Sequence, residues 1–229
     1  MIMKPTDVLC DSGVLISLTS SSLDQIPYFF SEKFGLRFII PPCVEYETVT
    51  HPIDSDMKKY LFSAIRIKKS ITDGVVIKVD ASLDSCSKRL MKLANNIFFA
   101  RGTPIKLIEQ GESEMICLAK QLGVEYILVD ERTTRILIEA PITLKEHFEH
   151  ELGVNIMINK TNLKELTREI SPLRVMRSSE LVMLAYEKGF FKHYKNMEKK
   201  ALEAALYKLK DSGCSISFDE ISTYLASVD

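Results

Sequence analysis

The side chains able to do chemistry in this chain are carboxylates, and they recur where short apolar runs stop. Asp11 directly follows Val8-Leu9-Cys10, and Asp130 directly follows Tyr126-Ile127-Leu128-Val129. Glu47 lies shortly after Pro41-Pro42, and Glu114 lies in a stretch leading up to the Asp130 run. Two carboxylates about 4 Å apart repel by roughly 4 kcal/mol at an effective dielectric near 20. Four gathered at one point therefore need protons or a counter-charge. A hard divalent cation answers that need, and Mg²⁺ typically takes one or two carboxylates, waters and substrate phosphates. Such an ion stabilises the charge building on a phosphate and lowers the pKa of the attacking water. The expected chemistry is phosphodiester hydrolysis.

These residues can meet only if the chain folds as alternating strands and helices. Asp7–Cys10 reads as a buried strand, with a turn and helix opening at Ser12-Gly13. Arg37–Ile40 is a second strand, stopped by Pro41-Pro42, which suit a first helical turn. A helix follows with Glu45 and Glu47, and another runs from Asp56 to Ser70. Val75–Val79 is strand-like, Ser85–Asn95 helical, and Gly111–Ala119 a helix with an acidic first turn, closed by Gly123. Tyr126–Val129 is again a buried strand. The stretch Thr143–Ser171 adds a helix and the strand-like Val154–Ile158. Leu173–Met176 is a further strand, and helices follow at Ser179–Lys188, Asn196–Lys210 and from Phe218. This alternation predicts an α/β fold with a parallel sheet covered on both faces. Ligands of such sheets bind beyond the carboxyl ends of the strands, where Asp11 and Asp130 would meet. Glu112 and Glu114 are about 200° apart on a helix and cannot share one site. Glu112 is assigned to the helix dipole and Glu114 to the rim. Glu45 and Glu47 pose the same choice, which spacing leaves open.

Composition narrows the rest. The 229 residues are 46% hydrophobic and 27% charged, enough for a sizeable core. Thirty basic against 31 acidic side chains leave a net charge of -1, so any contact with nucleic acid must come from a local basic patch. Lys58, Lys59, Arg66, Lys68 and Lys69 form one such face, readable as a backbone track or as a solvated helix surface. No apolar run is long enough to span a membrane, and Met1–Lys4 lead into Asp7 and Asp11 without a signal-peptide pattern. The five cysteines are odd in number and lack CxxC pairing, so no disulfide framework or zinc knuckle is expected; Cys10 and Cys117 read as small core residues, and a reducing cytoplasm is the default. His147 and His150 have i, i+3 spacing but no third ligand nearby. There is no phosphate-binding glycine loop, nucleophile elbow or HExxH, and no histidine stands close to the acidic set.

Taken in order, the acidic motifs resemble those of the PIN-domain nucleases, which include the toxin ribonucleases of toxin–antitoxin pairs. The matching pieces are Val8-Leu9-Cys10-Asp11-Ser12, then Pro41-Pro42-Cys43-Val44-Glu45-Tyr46-Glu47, which selects Glu47 over Glu45. Gly111-Glu112-Ser113-Glu114 through Leu118-Ala119 is the third, and Ile127-Leu128-Val129-Asp130 the fourth. Leu181–Gly189 and Leu209–Ile216 look like the carboxyl-terminal part of an uncharacterised branch of that superfamily, longer than the minimal toxins. The resemblance implies a three-layer α/β/α fold: a catalytic core over 1–140 with an insertion near 50–110, and an insertion near 140–172 with a helical extension over 141–229, packed on the same domain. It implies an Mg²⁺- or Mn²⁺-dependent nuclease, most simply an endoribonuclease, with Asp11, Glu47, Glu114 and Asp130 holding one or two ions. Ser12 would position a water or the phosphate, and Arg135, one turn past Asp130, would contact phosphate. Expected partners are RNA as substrate, an antitoxin or other protein, and a second copy in a homodimer; the expected place is the cytoplasm. The alternative is a PIN-like scaffold that binds RNA or protein without cleaving. An aspartate-nucleophile phosphohydrolase of the haloacid-dehalogenase type is set aside, because Asp11-Ser12-Gly13 lacks its second aspartate.

Overall fold

Two apolar faces alternating along short strands dictate the architecture. Val8, Cys10, Phe38, Ile40 and Leu128 point into one hydrophobic cluster, while Leu9, Ile39, Ile127 and Val129 point into the other. Period-two alternation with both faces apolar is what a strand buried between two helix layers requires. The computed structural model describes residues 6–228 and shows this three-layer α/β/α arrangement. Met1–Lys4, where no leader pattern was read, lies outside the described residues.

In chain order the elements are β1 (Thr6–Cys10), α1 (Ser12–Ser20), α2 (Gln25–Phe34), β2 (Leu36–Ile40), α3 (Pro42–Glu45), a π-helical turn (Tyr46–Thr50) and α4 (His51–Asp54). Then come α5 (Lys58–Thr72), β3 (Val76–Lys78), α6 (Asp84–Ala94), β4 (Phe98–Ala100), β5 (Thr103–Pro104), α7 (Gln110–Leu122) and β6 (Tyr126–Leu128). The remainder is α8 (Arg132–Glu139), α9 (Thr143–Leu152), β7 (Ile156–Ile158), α10 (Lys160–Ile170), β8 (Arg174–Met176), α11 (Ser178–Glu187), a 3₁₀ stretch (Phe190–Met197), α12 (Glu198–Asp211) and α13 (Phe218–Ser227).

The central sheet is five-stranded and parallel, in the order β3-β2-β1-β6-β8. Helices α1, α2, α5, α11, α12 and α13 supply the first cluster; α6 to α10 supply the second. Strands β1 and β6 are neighbours in register, Cys10 opposite Leu128, and the Asp11 amide donates to the Leu128 carbonyl at 3.0 Å. The carboxyl ends that carry Asp11 and Asp130 are therefore side by side.

The two stretches read as insertions divide differently. From the first, α5 and β3 extend the main layers, β3 as an edge strand. The rest, β4 and β5, joins β7 from the second stretch in a separate antiparallel sheet, Phe98 opposite Ile158. Elements not anticipated are α2, α8, the β4–β5 pair and a second helix, α10, in the later stretch. One cysteine reading is overturned: Cys86 of α6 and Cys117 of α7 form a disulfide, their Cα atoms 6.1 Å apart. Cys10, Cys43 and Cys214 are free thiols. An odd count hid the pair, because parity says nothing once three cysteines are free. Among the described residues no helix is long and apolar enough to cross a membrane.

Candidate active site

Each acidic residue reaches the rim through a different local device. Asp11 ends β1 and caps α1, its Oδ2 accepting from the Gly13 amide at 3.2 Å. It is buried, with 6% of its surface exposed. Glu47 sits in the π-helical turn after β2, a wide turn of the kind often found at functional positions. That turn sends Glu45 elsewhere: its carboxylate accepts from the Thr50 hydroxyl at 3.0 Å. Ser12 lies close enough to Glu47 to lower its proton affinity. Ser12 thus stands beside an acidic side chain, where a substrate-positioning hydroxyl was expected.

Helix α7 begins at Gln110, so Glu112 is its third residue and lies in the first turn; Glu114 lies one turn further in than expected. Glu112 closes a capping box on the Glu109 amide at 3.0 Å, as its dipole assignment implies. It also faces both Asp11 and Glu47, raising the proton affinity of each. Glu114, buried, points the other way around the helix. It accepts from Gln110 Nε2 at 2.7 Å and lies near the Cys43 thiol, which burial and this carboxylate push far above the usual thiol range. Glu47 feels Glu114 as well, whereas Glu112 is the glutamate of α7 that acts on Asp11. Sequence reasoning missed Glu112 as a rim residue, having taken capping and the site as exclusive roles. A capping-box glutamate can also raise the proton affinity of two nearby carboxylates, as Glu112 does.

Asp130 follows β6 and is 2% exposed. Both its oxygens are taken: Oδ1 accepts from the Ser178 amide and Oδ2 from the Ser178 hydroxyl, each at 2.8 Å. It therefore holds the first turn of α11, an acid placed where a helix N-terminus favours negative charge. Ser178 has no signal in the sequence, since 48 positions separate it from its partner. Asp11 and Asp130 remain adjacent, for a Cβ placed on Gly13 would lie 3.1 Å from Asp11 Oδ2 and 4.0 Å from Asp130 Cβ. A Cβ on Gly111 would lie 3.3 Å from Glu47 Oε1. Two glycines thus leave open space against the carboxylate oxygens.

Electrostatics at this rim is one-sided. None of Asp11, Glu47, Glu112, Glu114 and Asp130 has a cationic partner among the described residues. Burial, then Glu112, and more weakly Glu47, push the Asp11 carboxyl up to about 7 against the lowering effect of the Gly13 and Ser12 amides. Glu47 is raised as well, by partial burial and by Glu112, Glu109 and Glu114, against the lowering effect of Ser12. The donor set suits a hard divalent cation, being all oxygen and short of positive charge. Yet among the described residues no three His, Cys, Asp or Glu side chains stand close enough together to hold an ion. The expected four-carboxylate cage is not assembled: Glu114 is turned to Gln110 and Cys43, and Asp130 to Ser178. Arg135, expected at phosphate, lies in α8 with its guanidinium 3.8 Å from Glu139 of the same helix and its Nε buried without a partner. Glu131, next to Asp130, is occupied capping α8 through the Thr133 and Thr134 amides at 2.8 and 2.6 Å.

Comparison of the chain with protein-family models, with curated proteins and with solved structures finds no match to any of them.

Proposed function

We propose that the chain is a divalent-metal-dependent nuclease of the PIN-like kind, most simply an endoribonuclease. The observation that carries this reading is the set of carboxylates without counter-charge at the carboxyl ends of two adjacent parallel strands, where open α/β sheets bind ligands. Asp11, Glu47 and Glu112 are the side chains that would hold Mg²⁺ or Mn²⁺ by drawing closer together than the structure places them, with Glu114 and Asp130 to either side. The ion, when bound, supplies charge neutralisation at the phosphate and a water of lowered pKa. Asp11 must give up its proton to serve as a ligand, and its elevated proton affinity makes that a step near neutral pH. Ser12 lies beside Glu47, Ser178 fixes Asp130, and Gly13 and Gly111 keep the approach open. RNA rather than DNA follows from the resemblance of the four motifs to PIN-domain ribonucleases. A cytoplasmic location goes with that substrate, while the Cys86–Cys117 pair is unusual for a reducing compartment.

The second reading is a PIN-like scaffold that binds RNA or a protein partner without cleaving it. It is favoured by Asp130, whose two oxygens are both engaged by α11. Cleavage of labelled single-stranded and structured RNA separates the two. Under the nuclease reading, cutting needs Mg²⁺ or Mn²⁺, stops in EDTA and is lost in Asp11→Asn. Binding of Mn²⁺ absent by calorimetry at millimolar concentration, or cleavage that persists in Asp11→Asn, removes that reading.

A further inference from the structure

The expected basic face on α5 is largely neutralised. Lys58 pairs with Asp56, Arg66 with Asp24 and Lys69 with Asp73, leaving Lys59 and Lys68 without an ion pair among the described residues. A richer set of unpaired cations lies elsewhere. Lys160, Lys164 and Arg168 follow one another at every fourth position on α10, all exposed and none in an ion pair among the described residues. Fourfold spacing places them on one side of the helix, about 6 Å apart along its axis. With Thr161 and Glu165 they line one side of an open depression of about 710 Å³ whose lining residues all belong to α10, and which adjoins a second groove of about 420 Å³ through the shared Glu165. The second groove runs between α6 and α10 and adds Lys92, also unpaired, with the partly exposed ring of Phe99 and the amides of Asn96, Asn159 and Asn162.

Every residue of this double groove comes from the two stretches that look inserted. The groove is rigidly founded. Arg89 of α6 donates twice to Glu169 of α10, at 2.5 and 2.6 Å, and Lys120 of α7 reaches the same carboxylate at 3.2 Å. These donors hold the Glu169 carboxyl down at about 2, so the junction stays charged at any working pH. The asparagines brace one another: Asn162 Nδ2 donates to the Asn96 carbonyl, and Asn159 Oδ1 accepts from the Asn162 amide. That leaves the side-chain oxygens of Asn96 and Asn162 and the Asn159 NH₂ without protein partners among the described residues.

We infer that the α6–α10 groove is a binding surface for single-stranded nucleic acid, separate from the acidic rim. Evenly spaced cations track a backbone with one charge per nucleotide, a partly exposed ring offers a stacking platform, and free amide groups can bond base edges. An acidic protein segment would use the cations but has no need of the ring and amides. The choice of nucleic acid rests in part on the nuclease reading, while the surface itself does not. With a net charge of -1 for the chain, attraction has to be local, and this is the densest unpaired positive surface that the ion pairs leave on α5, α6 and α10.

The test is fluorescence anisotropy of a labelled oligouridylate 12-mer on the full chain in EDTA, so that cutting cannot intervene. Lys160→Glu/Lys164→Glu should weaken binding at least tenfold, and the neutral Lys160→Gln/Lys164→Gln should weaken it less. With two phosphate contacts gone, the slope of log K against log salt should fall by about 1.4 for a single strand. Phe99→Ala should weaken binding without changing that slope. Unchanged affinity in the charge-reversed variant with circular dichroism like the wild type overturns the inference, as does tighter binding of a polyglutamate peptide or no wild-type binding at all. Asp11→Asn separates the two readings: if it binds oligouridylate normally while wild type never cleaves with Mn²⁺, the nuclease reading falls and the groove stands.

Discussion

Replacing Asp11 with asparagine should stabilise the cation-free protein, and only above about pH 4. In the folded chain this carboxyl titrates near 7 rather than 3.8, first because it is buried and then because Glu112 and Glu47 face it. Between those values the folded state keeps a proton that the unfolded chain has released. Stability therefore falls as pH rises through the window, by about 1.4 kcal/mol per unit. The accumulated loss is about 4 kcal/mol by pH 7, constant above it and absent below pH 4. Asparagine carries no charge and retains an oxygen for the Gly13 amide, so it keeps the cap of α1 while removing the cost. For a chain of this length about 1 kcal/mol moves the midpoint by roughly 2–4 °C, so the variant should melt on the order of 10 °C higher at pH 8.

Thermal and urea unfolding in EDTA at pH 4.5, 6, 7 and 8 measures the difference directly. Wild type and variant should converge at the acid end and separate steadily toward pH 7. Added Mn²⁺ should then raise the wild-type midpoint and leave the variant nearly where it was, since an ion that binds only the folded carboxylate stabilises by mass action. A variant that is destabilised by the same amount at every pH would show that Asp11 is a cap alone, with no carboxylate strain for a cation to relieve.

Ser178→Ala should cost about 1–3 kcal/mol, because Asp130 Oδ2 loses its hydroxyl donor in a buried setting; an unchanged urea midpoint would refute this. Reduction of Cys86–Cys117, 31 positions apart, should lower stability by roughly 3–4 kcal/mol through loop entropy. Melting with and without reductant, set against Cys86→Ser/Cys117→Ser, reads this, and a reductant-insensitive wild type would dispose of it. Gly111→Ala should weaken Mn²⁺ binding severalfold in calorimetry, since its Cβ arrives 3.3 Å from Glu47 Oε1, while helix propensity gains at most about 1 kcal/mol. Equal affinity in the two proteins would show that the open space at Gly111 serves no ligand.

The strands were legible because each carries its own signature. Val8-Leu9-Cys10 and Ile127-Leu128-Val129 are short, apolar and stopped by aspartate, and burial on both faces leaves no other reading. Proline and glycine set the helix limits in the same local way, as at Pro42 and at Gly123 with its φ of 67°. Other elements went unread for want of a clear apolar pattern, even α2, which ends at Gly35 with a φ of 64°. Helix α10 is polar over most of its surface and buries Leu166 and Ile170, so its apolar stripe is too thin to stand out. Strands β4 and β5 exist because β7, far along the chain, pairs with Phe98–Ala100, a non-local fact that no window of sequence contains. The disulfide belongs with these, since α6 and α7 must pack before Cys86 and Cys117 can meet.

The acidic rim divides along the same line. Which carboxylates come to the strand ends is a property of the strands, and Asp11 and Asp130 were placed by them. What each carboxylate does there depends on partners supplied by tertiary structure. Asp130 meets Ser178 because β8 lies beside β6 and delivers α11 to the same edge. Glu112 acts on Asp11, while Glu114, about 200° around α7, is engaged by Gln110. The acidic rim is thus only partly a one-dimensional fact, since Glu112 was not among the residues expected there, while its division into carboxylates held by protein partners and carboxylates left without them is a three-dimensional one. Substituting Glu112 and Glu114 separately by glutamine exposes that division: loss of Mn²⁺ affinity should follow Glu112, and release of the Cys43 thiol toward its usual reactivity should follow Glu114.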